Sequence, residues 1–156
     1  LFLATVSVLV IALFTFTTAA WGIEWVTANQ ATVMWDAVPV DTDGDPIPAG
    51  THVEYEVWLA NKATDPNHAN PTKITDPPIT ATELTITLNQ KGSYVVGVKA
   101  LHIEDGTNEQ LAESTFAWSD NPADCADTDG DGTGNDFGIR FFAALPSTKL
   151  QPKPVP

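Results

Sequence analysis

The sequence predicts an all-β protein: a two-sheet antiparallel sandwich preceded by an N-terminal apolar helix. Three observations carry that expectation. Apolar residues alternate with other residues in four segments, at Val33 and Trp35, at Val53, Tyr55, Val57 and Leu59, at Leu84, Ile86 and Leu88, and at Tyr94, Val96, Val98 and Ala100. A period of two sends each set to one face of a strand. Beyond residue 20 no stretch of about 10–15 residues has a helical period, and clusters of Pro, Gly, Asn and Asp separate the alternating segments.

The elements follow in order. Residues 1–20, LFLATVSVLVIALFTFTTAA, carry no charge. They fit the hydrophobic and cleavage regions of a secretory signal, with Thr18 and Ala20 at the small-residue positions before Trp21. Their length also fits a retained helix, since about 20 apolar residues span a bilayer. That second reading resembles the helix of type IV pilin-like subunits, with Thr5 where those carry Glu. The missing initiator Met and basic leader are what a fragment or a processed chain would show. A sandwich domain is expected over residues 21–145, with an acidic loop at 120–136 and a Pro-rich linker at 146–156.

Within the domain, IEWVTA and ATVMWDA read as strands, and VPVDTDGDPIPAG as a turn-rich connection to HVEYEVWLA. The next loop, dense in Pro and Asn, has room for a short edge strand around Thr72–Thr75. TELTITL and SYVVGVKALH are joined by NQKG, which reads as a tight hairpin with Gly92 supplying a positive φ. LAESTFAWS reads as one final strand, and FGIRFFAAL as an extended apolar run beyond the acidic loop.

Twenty acidic residues against seven basic ones give a formal charge of −13. A nucleic-acid partner is disfavoured, because phosphate recognition needs clustered Lys and Arg. Adhesion to anionic membrane surfaces is disfavoured for the same reason. Solubility and divalent-cation binding are the meanings that remain. Cys125 stands alone, so no internal disulfide forms; its thiol is either buried or open to an intermolecular bridge.

In combination these residues resemble a fibronectin type III domain of exported bacterial proteins. Trp35 in VMWDAV resembles the core Trp of the second strand, and Tyr55 sits in the third as the family has it. Leu88, six residues before Tyr94, and Y-V-V-G-V-K-A are similar to the end-of-hairpin Leu and the strand that follows it. The resemblance implies a tyrosine corner, with the Tyr94 hydroxyl bonded to backbone upstream. It also implies a structural core of Trp35, Tyr55, Leu88 and Tyr94, and a non-catalytic role. It covers roughly residues 23–120, and the acidic insertion after Trp118 departs from it.

Chemistry concentrates in DTDGDGTGND. Asp127, Asp129 and Asp131 alternate, and the intervening glycines let the chain curl so that carboxylates converge on a hard cation such as Ca²⁺. Asn135 and Asp136 are the further oxygen donors expected here. The segment resembles the start of an EF-hand or thrombospondin type 3 loop, with Gly138 where an EF-hand has its bidentate Glu. The alternative is a solvated acidic turn. Asp41, Asp43 and Asp45 repeat the spacing, but Pro46 follows at once and a plain turn is the better expectation.

The three His residues are not expected to meet. His102 shares parity with Tyr94, His52 opposes that of Tyr55, and His68 lies in a separate loop. No G-x-S-x-G, phosphate loop or C-x-x-C is present. Glu54 and Glu56 read as a solvated face. Trp58 has outward parity and is the candidate ligand surface, a stacking platform for a sugar or protein partner.

The reading is an extracellular or cell-surface module for adhesion, spacing or binding, with calcium in its acidic loop and a protein or polysaccharide partner. Two alternatives stay open. One is a filament subunit that self-assembles through residues 1–20. The other is an accessory carbohydrate-binding module built on Trp58.

Overall fold

A computed structural model of the chain describes residues 23–40 and 43–142. Residues 1–20, Trp21, Asp41 and the Pro-rich tail therefore lie outside the described residues. The described residues form nine strands: β1 (Glu24–Thr27), β2 (Gln30–Met34), β3 (Thr51–Asn61), β4 (Thr72–Lys73), β5 (Glu83–Thr87), β6 (Gly92–Glu104), β7 (Gln110–Glu113), β8 (Ala117–Trp118) and β9 (Phe137–Phe141). The all-β expectation holds. The strands make two sheets, one of seven strands and one of β2 and β5 alone.

The larger sheet is built on β3 and β6, antiparallel over eleven registered pairs from Thr51↔Glu104 to Asn61↔Tyr94. β4 borders β3, while β7, β8 and β9 follow one another along the other side of β6, facing Leu101–Ile103, Gly97–Val98 and Gly92–Tyr94. The predicted final strand, LAESTFAWS, is thus two pieces, β7 and β8, and the FGIRF run adds β9 to the same edge. β1 completes that edge by pairing in parallel with β9, from Glu24↔Phe137 to Thr27↔Arg140.

Inward-facing residues of both sheets form the core: Val33, Ile86 and Leu88 beside the small sheet, and Val57, Val96 and Ile139 from the large one. Each such fully buried aliphatic side chain contributes about 1.5–3 kcal/mol. Tyr55 is buried, and Trp35 meets it edge-on with ring centroids 5.6 Å apart. The Tyr55 hydroxyl accepts the Val38 N–H at 3.0 Å. The Tyr94 hydroxyl donates to the Gln90 carbonyl at 3.1 Å, pinning the connection between β5 and β6.

That connection corrects the hairpin expected at NQKG. β5 and β6 belong to different sheets, so the chain arches across the core instead of turning back on its neighbour. Gly92 is not among the positive-φ glycines. Its need is steric, since a Cβ there would stand 2.8 Å from Asn61 Nδ2 and 2.9 Å from the Tyr94 ring.

The outward face of β6 is not solvated throughout. Val95, Leu101 and Ile103, which share the outward parity of β3 residues Ala60, Glu54 and His52, are buried. Two aromatic rings lie on this same face of the sheet. Trp118 lies across Gly97 on the neighbouring strand, and Trp25 lies across Gly138 in the same way. A missing side chain on one strand makes room for a large ring from the next, which restores the buried area a glycine lacks.

Gly97→Ala tests this packing. The added methyl meets the Trp118 ring at 2.7 Å, and overpacking of this kind costs about 1–3 kcal/mol. Chemical denaturation should show that loss, whereas a neutral result would mean that Trp118 does not lie on Gly97.

Candidate metal centre in the acidic loop

The acidic loop is an excursion from the middle of a sheet edge, and its root determines its shape. Ser119 ends the run of β8. Its N–H donates to the Val96 carbonyl at 2.8 Å, but its own carbonyl turns away and accepts the Phe137 N–H at 2.7 Å. The Val96 N–H would then be orphaned. The Ser119 hydroxyl takes it at 3.0 Å and donates onward to the Phe137 carbonyl at 2.9 Å. Departure and return points are thereby joined around one buried serine.

Beyond the root, Asn121 caps a single 3-10 turn, Pro122–Asp124. Asp124 Oδ2 accepts the Trp118 N–H at 3.0 Å and the Asn121 amide at 2.8 Å. The Cys125 thiol donates to the Ser119 carbonyl at 3.4 Å. Burial raises its pKa, and the nearby carboxylates Asp136, Asp124 and Asp120 push it the same way. Cys125 is therefore a packed thiol, not an activated one. Gly134 lies so close to the carbonyls of Pro122 and Cys125 that any Cβ would collide with them.

The ring closes where Asn135 N–H meets the Ala126 carbonyl at 3.0 Å, and the Asn135 amide oxygen accepts both the N–H and the hydroxyl of Thr128 at 2.7 and 2.8 Å. Inside it, Gly130 and Gly132 have φ of 79° and 88° and aim their N–H groups at the Asp127 carboxylate, at 2.6 and 2.9 Å. Asp129 accepts the Asp131 N–H at 3.3 Å, and Asp131 the Thr133 N–H at 2.8 Å.

Curling of this kind brings oxygens of Asp127, Asp129 and Asp131 within 4.8 Å of one another, all three side chains exposed. Two oxygens bound to one Ca²⁺ lie at most about 5 Å apart, so the triad fits a single sphere. Asn135 and Asp136 line the same depression of about 220 Å³ with Asp129 and Asp131. The Asn135 oxygen, however, is already engaged by Thr128. Glu24 also lines it, from the opposite end of the chain, its N–H bonded to the Asp136 carbonyl at 3.0 Å. Only the parallel pairing of β1 with β9 brings that carboxylate here. No local sequence signal announces it.

The remaining candidates are dispersed. Asp43 and Asp45 flank Gly44, whose φ is 85°, in a turn closed by a Val40↔Pro46 bridge. His52 lies between Asp105 (2.6 Å) and Glu54 (3.4 Å), hydrogen bonds that raise its pKa. His102 bonds the Thr51 hydroxyl at 2.7 Å, on the opposite face of the sheet. His68 instead reaches Trp118, stacking on it at 4.0 Å and 20°.

Trp58 is half-buried within an aromatic row, not a free platform. Phe116 meets it edge-on at 5.7 Å, the Lys73 ammonium stands 5.8 Å from its ring, and its indole N–H bonds Glu56 at 3.3 Å. Phe116 in turn contacts Trp118 at 5.2 Å and carries Lys99 over its ring at 4.7 Å. Nothing in the sequence linked His68 and Phe116 to the two Trp residues, because three separate loops and strands contribute them. No protein-family model matches the chain, and no curated protein or solved structure matches it.

Hydrogen bonds from Gly132 and Gly130 hold the Asp127 pKa below its ordinary 3.8. A depressed carboxylate lends its support above the unfolded value and loses it as pH falls through the folded one. Carboxyl-detected NMR titration should place the Asp127 midpoint below 3.8; a midpoint at or above that value would mean the two glycine N–H bonds are absent.

Proposed function

We propose that this chain is a non-catalytic, cell-surface β-sandwich module of the fibronectin type III type, used for adhesion or spacing and stiffened by calcium in its 127–136 loop. The sandwich reading draws on strand order. β2 with β5 in one sheet, and β4, β3, β6 and β7 in the other, is the pairing expected of such a module. The bond from Tyr94 to the Gln90 carbonyl supports it as a tyrosine corner. The parallel β1 and the broken last edge are this chain's own departures.

The calcium reading is carried by one observation, the convergence of the Asp127, Asp129 and Asp131 oxygens on a loop whose two ends are fixed at Ser119 and Phe137. Carboxylates that repel one another at the tip of a firm root are a site that a divalent cation stabilises. Export agrees with the uncharged residues 1–20 and with the acidic surface. The partner in this reading is a protein or polysaccharide at the cell surface.

Thermal denaturation with and without Ca²⁺ tests the proposal. Calcium at about a hundred times its Kd adds about 2.7 kcal/mol, a rise in Tm of roughly 10 °C for a domain of this size. Asp129→Ala should abolish the rise. An unchanged Tm in millimolar Ca²⁺ would leave the loop a plain acidic turn.

A further inference from the structure

On the outward face of the large sheet, Lys62 and Asp120 meet in a setting that an ordinary surface ion pair does not need. Lys62 Nζ stands 2.6 Å from Asp120 Oδ2, and the Asp120 side chain is only 6% exposed. Its second oxygen, Oδ1, is buried with no hydrogen-bond partner. His68 Nε2 lies 3.1 Å from the same Oδ2 that faces Lys62. A buried carboxylate with one oxygen orphaned carries a desolvation cost that partners on its other oxygen alone offset poorly. A neutral group at the same place would carry far less.

We infer that Lys62 and Asp120 are built to condense into an intramolecular amide, Nζ to Cγ, with His68 relaying the proton. The backbone fixes both partners before reaction. Lys62 N–H bonds the Ser93 carbonyl at 2.8 Å, and Ser119, next to Asp120, bonds the Val96 carbonyl at 2.8 Å. Both residues are therefore tied to β6, three positions apart, which supplies the proximity that an uncatalysed condensation lacks. Trp118, stacked on His68, walls the site with an apolar ring.

In the step, the Lys62 amine attacks Cγ and the Nζ–Cγ bond forms. The Cγ–Oδ2 bond breaks, and Oδ2 leaves as water. Of the three protons of the ammonium, one stays on the amide nitrogen and two leave with Oδ2. His68 accepts a proton from Nζ, returns it to the adjacent Oδ2, and ends as it began. Oδ1 remains as the amide oxygen. No oxidant or co-reactant enters. The product joins residues 58 positions apart, and it clamps the chain just beyond β3 to the root of the acidic loop.

Intact mass and peptide mapping of the folded full chain test this. The protein should be lighter than its sequence by one water, and digestion should release the Lys62 peptide joined to the Asp120 peptide. Lys62→Arg keeps a cation beside Asp120 but has no competent amine, so its full mass should return. His68→Gln should convert slowly, passing through a mixture of both masses. A loss of water that persists in Lys62→Arg belongs to imide formation at an Asp-Gly pair and overturns the inference. So does a wild-type chain that keeps its full mass on prolonged incubation.

Discussion

Wherever an edge strand breaks off, the structure depends on a side-chain hydroxyl replacing a backbone carbonyl. β3 and β6 are long, but the strands beside them come in short pieces. Each break would orphan an amide on the long strand, at a cost of about 1–3 kcal/mol. Thr75 takes the Val57 N–H at 2.9 Å where β4 departs, Ser114 takes the Ala100 N–H at 2.9 Å after β7, and Ser119 takes the Val96 N–H at 3.0 Å after β8. Thr75 and Ser119 are the buried polar residues of the described chain, and both do this one task.

This constraint positions the chemistry. Because Ser119 holds Phe137 as well as Val96, the seventeen-residue excursion, residues 120–136, leaves and re-enters the edge without disturbing the ladder. β9 then resumes pairing with β6, and its free side is available to β1. Glu24 comes to line the depression beside Asp129 and Asp131 by that route. The same root sets Trp118 on Gly97 and Asp120 against Lys62 and His68, so loop, aromatic row and buried ion pair share one anchor.

Much of the fold was legible because a period of two is a local signal. Val33, Tyr55, Ile86 and Val96 are buried as their alternation predicts. The convergence of Asp127, Asp129 and Asp131 was legible too, since their spacing and the intervening glycines are a local signal. What escaped was non-local. NQKG has the composition of a hairpin, and only the division of β5 and β6 between two sheets makes it an arch. LAESTFAWS reads as a single strand unless the Ser114 hydroxyl is seen to bridge its break. Trp58 has outward parity, as expected, but parity says nothing about Phe116 arriving from the connection between β7 and β8 to meet it edge-on. Glu24, His68 and Asp120 gain their meaning from pairings far apart in sequence.

Amide hydrogen exchange on the native protein and on Ser119→Ala tests the hydroxyl closure most directly. In the wild type, the Val96 and Phe137 amides should be protected alongside the β3–β6 ladder. In the variant, Val96 should lose protection selectively, while β3 amides paired with β6 keep theirs. If Val96 exchanges as fast as the loop amides in the wild type, or is unaffected by losing the hydroxyl, Ser119 does not close the sheet and the acidic loop has no fixed root.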